Sequence, residues 1–273
     1  GLRTGILVLT PTLPFEIPLA LSRGLILQVS SLSGARALAA AARRLRRPAR
    51  VHVKVDTGMG RVGFRPGESL RELLLLHGLP DLRIEGFYTH LATADWADPA
   101  FARAQALLFK RVLEATGQEV GHVANSAALL TGLDPARCTW ARPGLALYGI
   151  PPNPRLARCA LLRPVMQFKC RVLQVKTLAR GESVSYNRTF IAKRKTRVAT
   201  LAAGYADGIN RHLSNRGHAL VRGRRVPLIG NVCMDMTMAD VTGVPGVREG
   251  DTAILWGRDG KAVLGVSEQA RAA

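Results

Sequence analysis

Val53-Lys54-Val55-Asp56-Thr57-Gly58-Met59-Gly60-Arg61-Val62-Gly63-Phe64 joins an alternating strand to a glycine-rich turn. Val51, Val53 and Val55 fall on one face of that strand, and His52 and Lys54 on the other. The glycines of Gly58-Met59-Gly60-Arg61-Val62-Gly63 have the spacing of a dinucleotide-binding fingerprint, which needs its third glycine inside a helix packed on the strand. Phe64-Arg65-Pro66-Gly67 follows instead, and Pro66 with Gly67 is expected to break any helix that starts at the motif. The dinucleotide reading is therefore set aside. In a barrel, polar side chains near the C-terminal end of a strand face the mouth, where barrel active sites sit.

Working outward from this segment, strand-like runs alternate with helical ones as far as residue 150. Ile6–Leu9, Leu25–Val29, Val51–Val55, Ile84–Tyr88 and Val120–Val123 read as strands. Gly34–Arg46, Glu68–His77, Pro99–Ala115 and Ala127–Leu130 read as helices. Repetition at this spacing predicts parallel βαβ units, either doubly wound or closed as a barrel. The pattern changes at Pro151-Pro152-Asn153-Pro154. Beyond it come strands at Met166–Leu178, Arg197–Ala203, Ala219–Val221 and Thr252–Trp256, without long helices. An α/β domain over 1–152 followed by an all-β domain over 153–273 is the expectation.

A chain of 273 residues with 47% hydrophobic content can bury a sizeable core. It has no apolar run of the ~18 residues that a membrane helix needs. Gly1-Leu2-Arg3-Thr4 does not open a signal peptide. Cys138, Cys159, Cys170 and Cys233 form no CxxC pair and no metal-ligand spacing, so a reduced, cytoplasmic protein without metal is expected. The net charge of +20 is carried by arginine, since only seven of the 39 basic residues are lysine. Nucleic-acid binding is the obvious function for such charge. However, the arginines are dispersed, aromatics make up 5% of the chain, and no nucleic-acid module can be read. A compositional bias toward arginine is the simpler account.

Seven segments in order resemble the motifs of the alanine racemase family. They are the strand and turn over 53–64, Tyr88–Asp95, Ala124-Asn125-Ser126-Ala127-Ala128, Arg142–Gly149, Val184-Ser185-Tyr186, Gly204–Gly208 and Cys233-Met234-Asp235-Met236. The resemblance spans essentially the whole chain. It implies a partial (β/α)8 TIM-type barrel binding pyridoxal 5'-phosphate, followed by a C-terminal all-β domain. It also implies interconversion of L- and D-alanine by two bases, supplying D-alanine for peptidoglycan.

The resemblance assigns roles residue by residue. Tyr186 matches the family's tyrosine base. A phenol ordinarily keeps its proton to a pH of ~10, so such a base needs cationic neighbours. The family supplies them as a hydrogen-bonded relay, matched here by His90 and Arg142. Arg142 also matches the arginine facing the cofactor's pyridine nitrogen, where a permanent cation keeps that nitrogen unprotonated. Asn125 and Ser126, with backbone N–H groups near Gly144 and Leu145, match the phosphate cradle, and a short loop entering a helix at Ala127 suits an anion. Ser126 also reads as a plain helix cap. Arg61 matches the contact to the cofactor's phenolic oxygen and to substrate. Lys54 matches a lysine carbamylated in many members; the alternative is a strand lysine reaching to solvent. Tyr205 and Met234 match the substrate entrance and pocket. In the family these two residues and the tyrosine base serve the partner subunit's site, so a homodimer is implied. Asn187 departs from the glycine that commonly follows this tyrosine, and an asparagine tolerates a left-handed turn.

The family's cofactor lysine lies in a K-A-x-A-Y-G-H-G motif, and none of the seven lysines has that context. The expectation is a racemase lacking the N-terminal segment that carries this lysine and the extreme C-terminus, and inactive as it stands. A non-catalytic remnant of the scaffold and a racemase of broader amino-acid specificity are the alternatives. A basic nucleic-acid binder is a third, weaker one.

Overall fold

The computed structural model describes residues 4–134, 136, 138–159 and 161–273, so the opening Gly1-Leu2-Arg3 lies outside the described residues. The chain forms two compact units, Gly1–Arg163 and Pro164–Ala273.

In the first unit the elements alternate as β1 (Leu7–Pro11), α1 (Ile17–Ser22), β2 (Ile26–Val29), α2 (Leu32–Arg44), β3 (Ala49–Lys54), α3 (Pro66–Leu76), β4 (Leu82–Tyr88), α4 (Ala100–Thr116), β5 (Gly121–Ala124), α5 (Ser126–Thr131) and β6 (Trp140–Ala141). All neighbouring strands are parallel and lie in chain order, β1 through β6. Doubly wound sheets reverse their strand order at a switch point, whereas barrels do not. The order therefore decides for the barrel type: a parallel half-barrel of six strands.

Local chemistry explains the helices. Ser31 accepts from Gly34 N at 3.1 Å and starts α2, whose Ala35, Leu38, Ala39 and Ala42 form the buried stripe of a helix laid on a sheet. Pro66 does not interrupt a helix but opens one. It sits in the first turn of α3, where the missing N–H costs nothing, so the glycine motif is an open loop between β3 and α3. α1 was not legible, since Pro14 and Pro18 disguise a six-residue helix. The core gathers the strand valines with Phe87, Phe109, Leu73 and Leu76. Leu156 joins it, so the 3-10 turn Pro154–Arg158 packs with the first unit.

The second unit is antiparallel throughout. It contains β7 (Phe168–Leu178), β8 (Ser183–Val184), β9 (Phe190–Ile191), β10 (Thr196–Leu201), β11 (His218–Val221), β12 (Arg224–Pro227), β13 (Thr237–Asp240), β14 (Thr252–Asp259) and β15 (Ala262–Leu264), closed by α6 (Val266–Ala272). The main sheet runs β12-β11-β14-β7-β10-β13, with β15 on β14, and β8 and β9 pair separately. Val172, Leu201, Val221, Val226 and Leu255 lie in its core. Among the described residues of this unit, the seven-residue α6 and short 3-10 turns at Tyr186–Arg188, Tyr205–Asp207 and Arg211–Leu213 depart from the all-β pattern. No helix among the described residues is long and apolar enough to cross a membrane.

Candidate active site

Both faces of β3 are covered, as parallel sheets require, so the polar face carrying His52 and Lys54 is buried. Lys54 is 2% exposed, which rules out a side chain extended into solvent. Its Nζ donates to Val55 O at 3.2 Å and lies 5.2 Å from the centre of the Tyr88 ring. Burial, followed by the charge of Arg142, lowers its ammonium to about 8.

The turn after β3 folds around one carboxylate. Asp56 Oδ1 accepts from Gly58 N at 3.0 Å and Gly60 N at 3.1 Å, and its Oδ2 accepts from Arg61 N at 3.1 Å. Burial, the largest single influence, pushes Asp56 up, but the amides of Gly58, Gly60 and Met59 with the Lys54 charge together hold it below its ordinary value. Arg61 is thereby fixed at its backbone with its side chain exposed. Gly63 closes the loop at φ +123, where a Cβ would meet Lys54 O at 2.8 Å. No other residue fits that approach.

Arg142 follows β6 and extends under the sheet. Its Nη1 donates to His122 Nδ1 at 2.6 Å and to His122 O at 2.8 Å, and its Nη2 donates to Thr89 O at 2.6 Å. A guanidinium only donates, so His122 Nδ1 must accept. His122 Nε2 then carries the proton and donates to His52 Nδ1 at 2.8 Å. His122 stacks on Tyr88, and Tyr88 donates to Gln28. Burial first, then the Arg142 charge, holds His122 down at about 2. Burial similarly lowers His52. It also lowers Arg142 to about 10, which leaves the guanidinium charged at neutral pH. His90 is held at about 4 by burial and then by Arg142, Lys54 and Arg61. Among the described hydrogen bonds, the imidazole that Arg142 reaches is His122 rather than the expected His90.

The cap of α5 is Asn125, whose side chain accepts from Ala128 N at 3.0 Å, and not Ser126. Ser126 is 6% exposed, and its Oγ accepts from Gly144 N at 2.8 Å and Ala146 N at 3.2 Å. It ties the amides on either side of Leu145 to the end of β5. Lys54, His90 and Arg142 therefore converge at the C-terminal ends of parallel strands, and none of the described ion pairs includes Lys54, Arg61 or Arg142. Lys54 and Arg142 repel one another with no ion pair between either of them and an acid among those described, an arrangement that suits an anion. Both amides are used by Ser126 Oγ, which keeps its own proton to donate, and that hydroxyl at the entry of α5 suits a phosphate. The residues thus fit an anionic, ring-bearing group of the pyridoxal phosphate kind.

In the second unit Tyr186 lies in a short turn after β8 and is 69% exposed. Tyr205 N donates to Cys233 O, and Ala206 N to Met234 O, each at 2.9 Å. These bonds set Tyr205, 39% exposed, beside Met234, 59% exposed. Asn187 takes the left-handed conformation, at φ 60 and ψ 8.

The chain matches the sequence model described as "Alanine racemase, N-terminal domain" over residues 1–152, and "Alanine racemase, C-terminal domain" over 165–273. It is 42% identical over 287 residues to the alanine racemase of Desulfosudis oleivorans, covering 100% of this chain and 73% of that protein. With the enzyme of Syntrophobacter fumaroxidans it shares 43% identity over 267 residues, covering 95% and 70% of the two chains. The crystal structure of the alanine racemase from Bacillus anthracis with bound L-Ala-P superposes with a TM-score of 0.87 at 32% identity, over 99% of this chain and 71% of that one. The alanine racemase from Bartonella henselae with covalently bound pyridoxal phosphate gives 0.82 at 26% identity, over 99% and 74%.

Proposed function

The chain belongs to the alanine racemase family, and from that premise we propose how its own residues serve the reaction. It is an isomerase acting on alanine that uses pyridoxal 5'-phosphate. The observation that carries the site assignment is the convergence of buried Lys54 with half-buried His90 and Arg142, where neither Lys54 nor Arg142 enters a described ion pair and Arg61 joins at the loop. The cofactor supplies the electron sink that makes the Cα–H bond of alanine acidic. Arg142 would hold its ring nitrogen and, remaining cationic, would keep that nitrogen from taking a proton. Arg61 would contact its phenolic oxygen and the substrate carboxylate. Ser126 and the loop at Gly144 and Leu145 would hold its phosphate, with Asn125 fixing the turn that enters α5.

Tyr186 removes or returns the proton on one face of Cα. His90, neutral at physiological pH, is assigned to the relay behind it as the family resemblance implies, while in this structure Arg142 bonds His122. Burial brings Lys54 toward its neutral form, the form that adds carbon dioxide to give a carbamate and a released proton. The resulting anion would pair with Arg61. We assign residues 1–152 to cofactor binding and 153–273 to the domain that presents Tyr186, Tyr205 and Met234 to a partner's site in a homodimer. The cellular role is cytoplasmic supply of D-alanine for peptidoglycan. None of the seven lysines has the context of the family's cofactor lysine, so these 273 residues by themselves do not racemise alanine.

The test is Cα-proton exchange from each enantiomer by a racemising protein that contains this sequence. Tyr186→Phe removes one of two bases. Exchange should fall at least a hundredfold from one enantiomer and far less from the other. Equal losses in single-turnover exchange would refute the assignment of Tyr186.

A further inference from the structure

The turn that bears Tyr186 holds an unusual backbone. Ser185 has φ 66 and ψ −176, Asn187 has φ 60, and Arg188 has φ 53. L side chains rarely adopt such angles, and the first pair is a region populated almost only by glycine. A turn of this kind persists only where its surroundings hold it. Its own packing does little, since Tyr186 is 69% exposed on this unit.

One residue makes most of its side-chain ties, with Asn215 Nδ2 adding a bond to Thr189 Oγ1 at 3.1 Å and Arg188 Nε one to Ser183 Oγ at 3.0 Å. Asn231 accepts the Ser185 hydroxyl at its main-chain oxygen, at 2.7 Å. Its Nδ2 donates to Tyr186 O at 2.9 Å, and its Oδ1 accepts from Thr189 Oγ1 at 3.3 Å. Three members of the Ser185–Thr189 turn are therefore bound to a single asparagine. The neighbouring Gly230 lets the two backbones meet: it lies at φ +74, and a Cβ there would stand 2.9 Å from both Ser185 Cβ and Val184 O. Asn231 also begins the segment whose Cys233 and Met234 carbonyls receive Tyr205 and Ala206. One short stretch of chain thus sets the turn of Tyr186 and the two residues assigned to the substrate pocket.

We infer that Asn231 is the positioning residue of Tyr186: it holds the turn in its left-handed form and so fixes where the phenol stands. The inference rests on the reading of Tyr186 as a base, and two measurements keep them apart. The first needs no activity. Trypsin cleavage after Arg188 requires this turn to open, and mass spectrometry follows that bond in Gly1–Ala273. Asn231→Ala should speed it at least tenfold, with cleavage after Arg222, in the same unit, unchanged. Where Asn231→Ala fails to fold, Asn231→Asp decides, since it keeps the shape and loses the donor to Tyr186 O. An unchanged rate in the folded variant overturns the inference.

The second measurement is made in a racemising protein that contains this sequence. Asn231→Ala should slow single-turnover Cα-proton exchange at least tenfold from the enantiomer whose proton Tyr186 takes, with exchange from the other enantiomer less affected and KM for alanine within twofold. A loosened turn with exchange unchanged from both enantiomers would overturn the positioning role while leaving the clamp standing. Loss of the asymmetry in Tyr186→Phe itself would instead strike the reading of Tyr186.

Discussion

Replacing His122 with glutamine tests the buried chain behind Arg142 through the response of folding to pH. In the folded protein His122 must stay neutral, because its Nδ1 accepts from Arg142 and its Nε2 donates to His52. A cation there would lose that acceptor and face the guanidinium. Burial and Arg142 hold its value at about 2, whereas in the unfolded chain an ordinary histidine titrates at ~6.5. The folded value lies below the unfolded one, so below pH ~6.5 the unfolded state binds the extra proton and stability falls with pH. Each pH unit costs about 1.4 kcal/mol. Between pH 8 and pH 5 the sum is about 2 kcal/mol from His122 alone, whatever the folded value below 5. With a urea slope of ~2–3 kcal/mol/M, the midpoint moves by roughly 0.7–1 M. The assay is urea unfolding at pH 8, 6.5 and 5, followed by the fluorescence of Trp140, which stacks on His122. Glutamine can still accept from Arg142. His122→Gln is expected to be less stable at pH 8 and to lose the share of pH dependence set by one proton. His52 and His90 keep theirs, since burial depresses both. Equal pH dependence in the two proteins would show that His122 is charged or exposed in the folded state.

Two further outcomes follow from the site. Ser126→Ala removes the hydroxyl proton offered to the phosphate, together with the oxygen that gathers the amides of Gly144 and Ala146. Loss of one hydroxyl bond at ~0.5–1.5 kcal/mol should weaken pyridoxal phosphate binding about two- to tenfold, while binding of dephosphorylated pyridoxal stays unchanged; equal effects on both ligands would place the phosphate elsewhere. Gly1–Ala273 alone, mixed with pyridoxal phosphate and reduced with borohydride, is expected to yield no stoichiometric pyridoxyl-lysine and no racemisation; a single modified lysine with turnover would show that one of the seven acts in the family lysine's place.

Much of this molecule is legible as a string. Alternation of strand and helix as far as β5 gives parallel βαβ units, and the prolines after residue 150 mark the change to an antiparallel unit. The turn over 56–63 reads as glycine-rich, while the bonds of its Asp56 carboxylate and the close approach at Gly63 come from the structure. The legible features depend on neighbours in sequence, through propensity, periodicity and φ. Short elements escaped for the same reason: α1 sits among prolines, and β6 has only two residues.

The tertiary structure alone decided the barrel-type strand order and the groups that act together. His52 and His122 are 70 residues apart, and both lie within strands that read as plain sheet. They meet because β4, between β3 and β5, leaves both imidazoles on the same face of a twisted sheet, with a register shift at Val51/His52. Ser126 reaches Gly144 across 18 residues, and Asn231 reaches Tyr186 across 45. Local sequence cannot register such pairs. Their partners are fixed by strand order and by the desolvation that leaves each buried donor one acceptor to find.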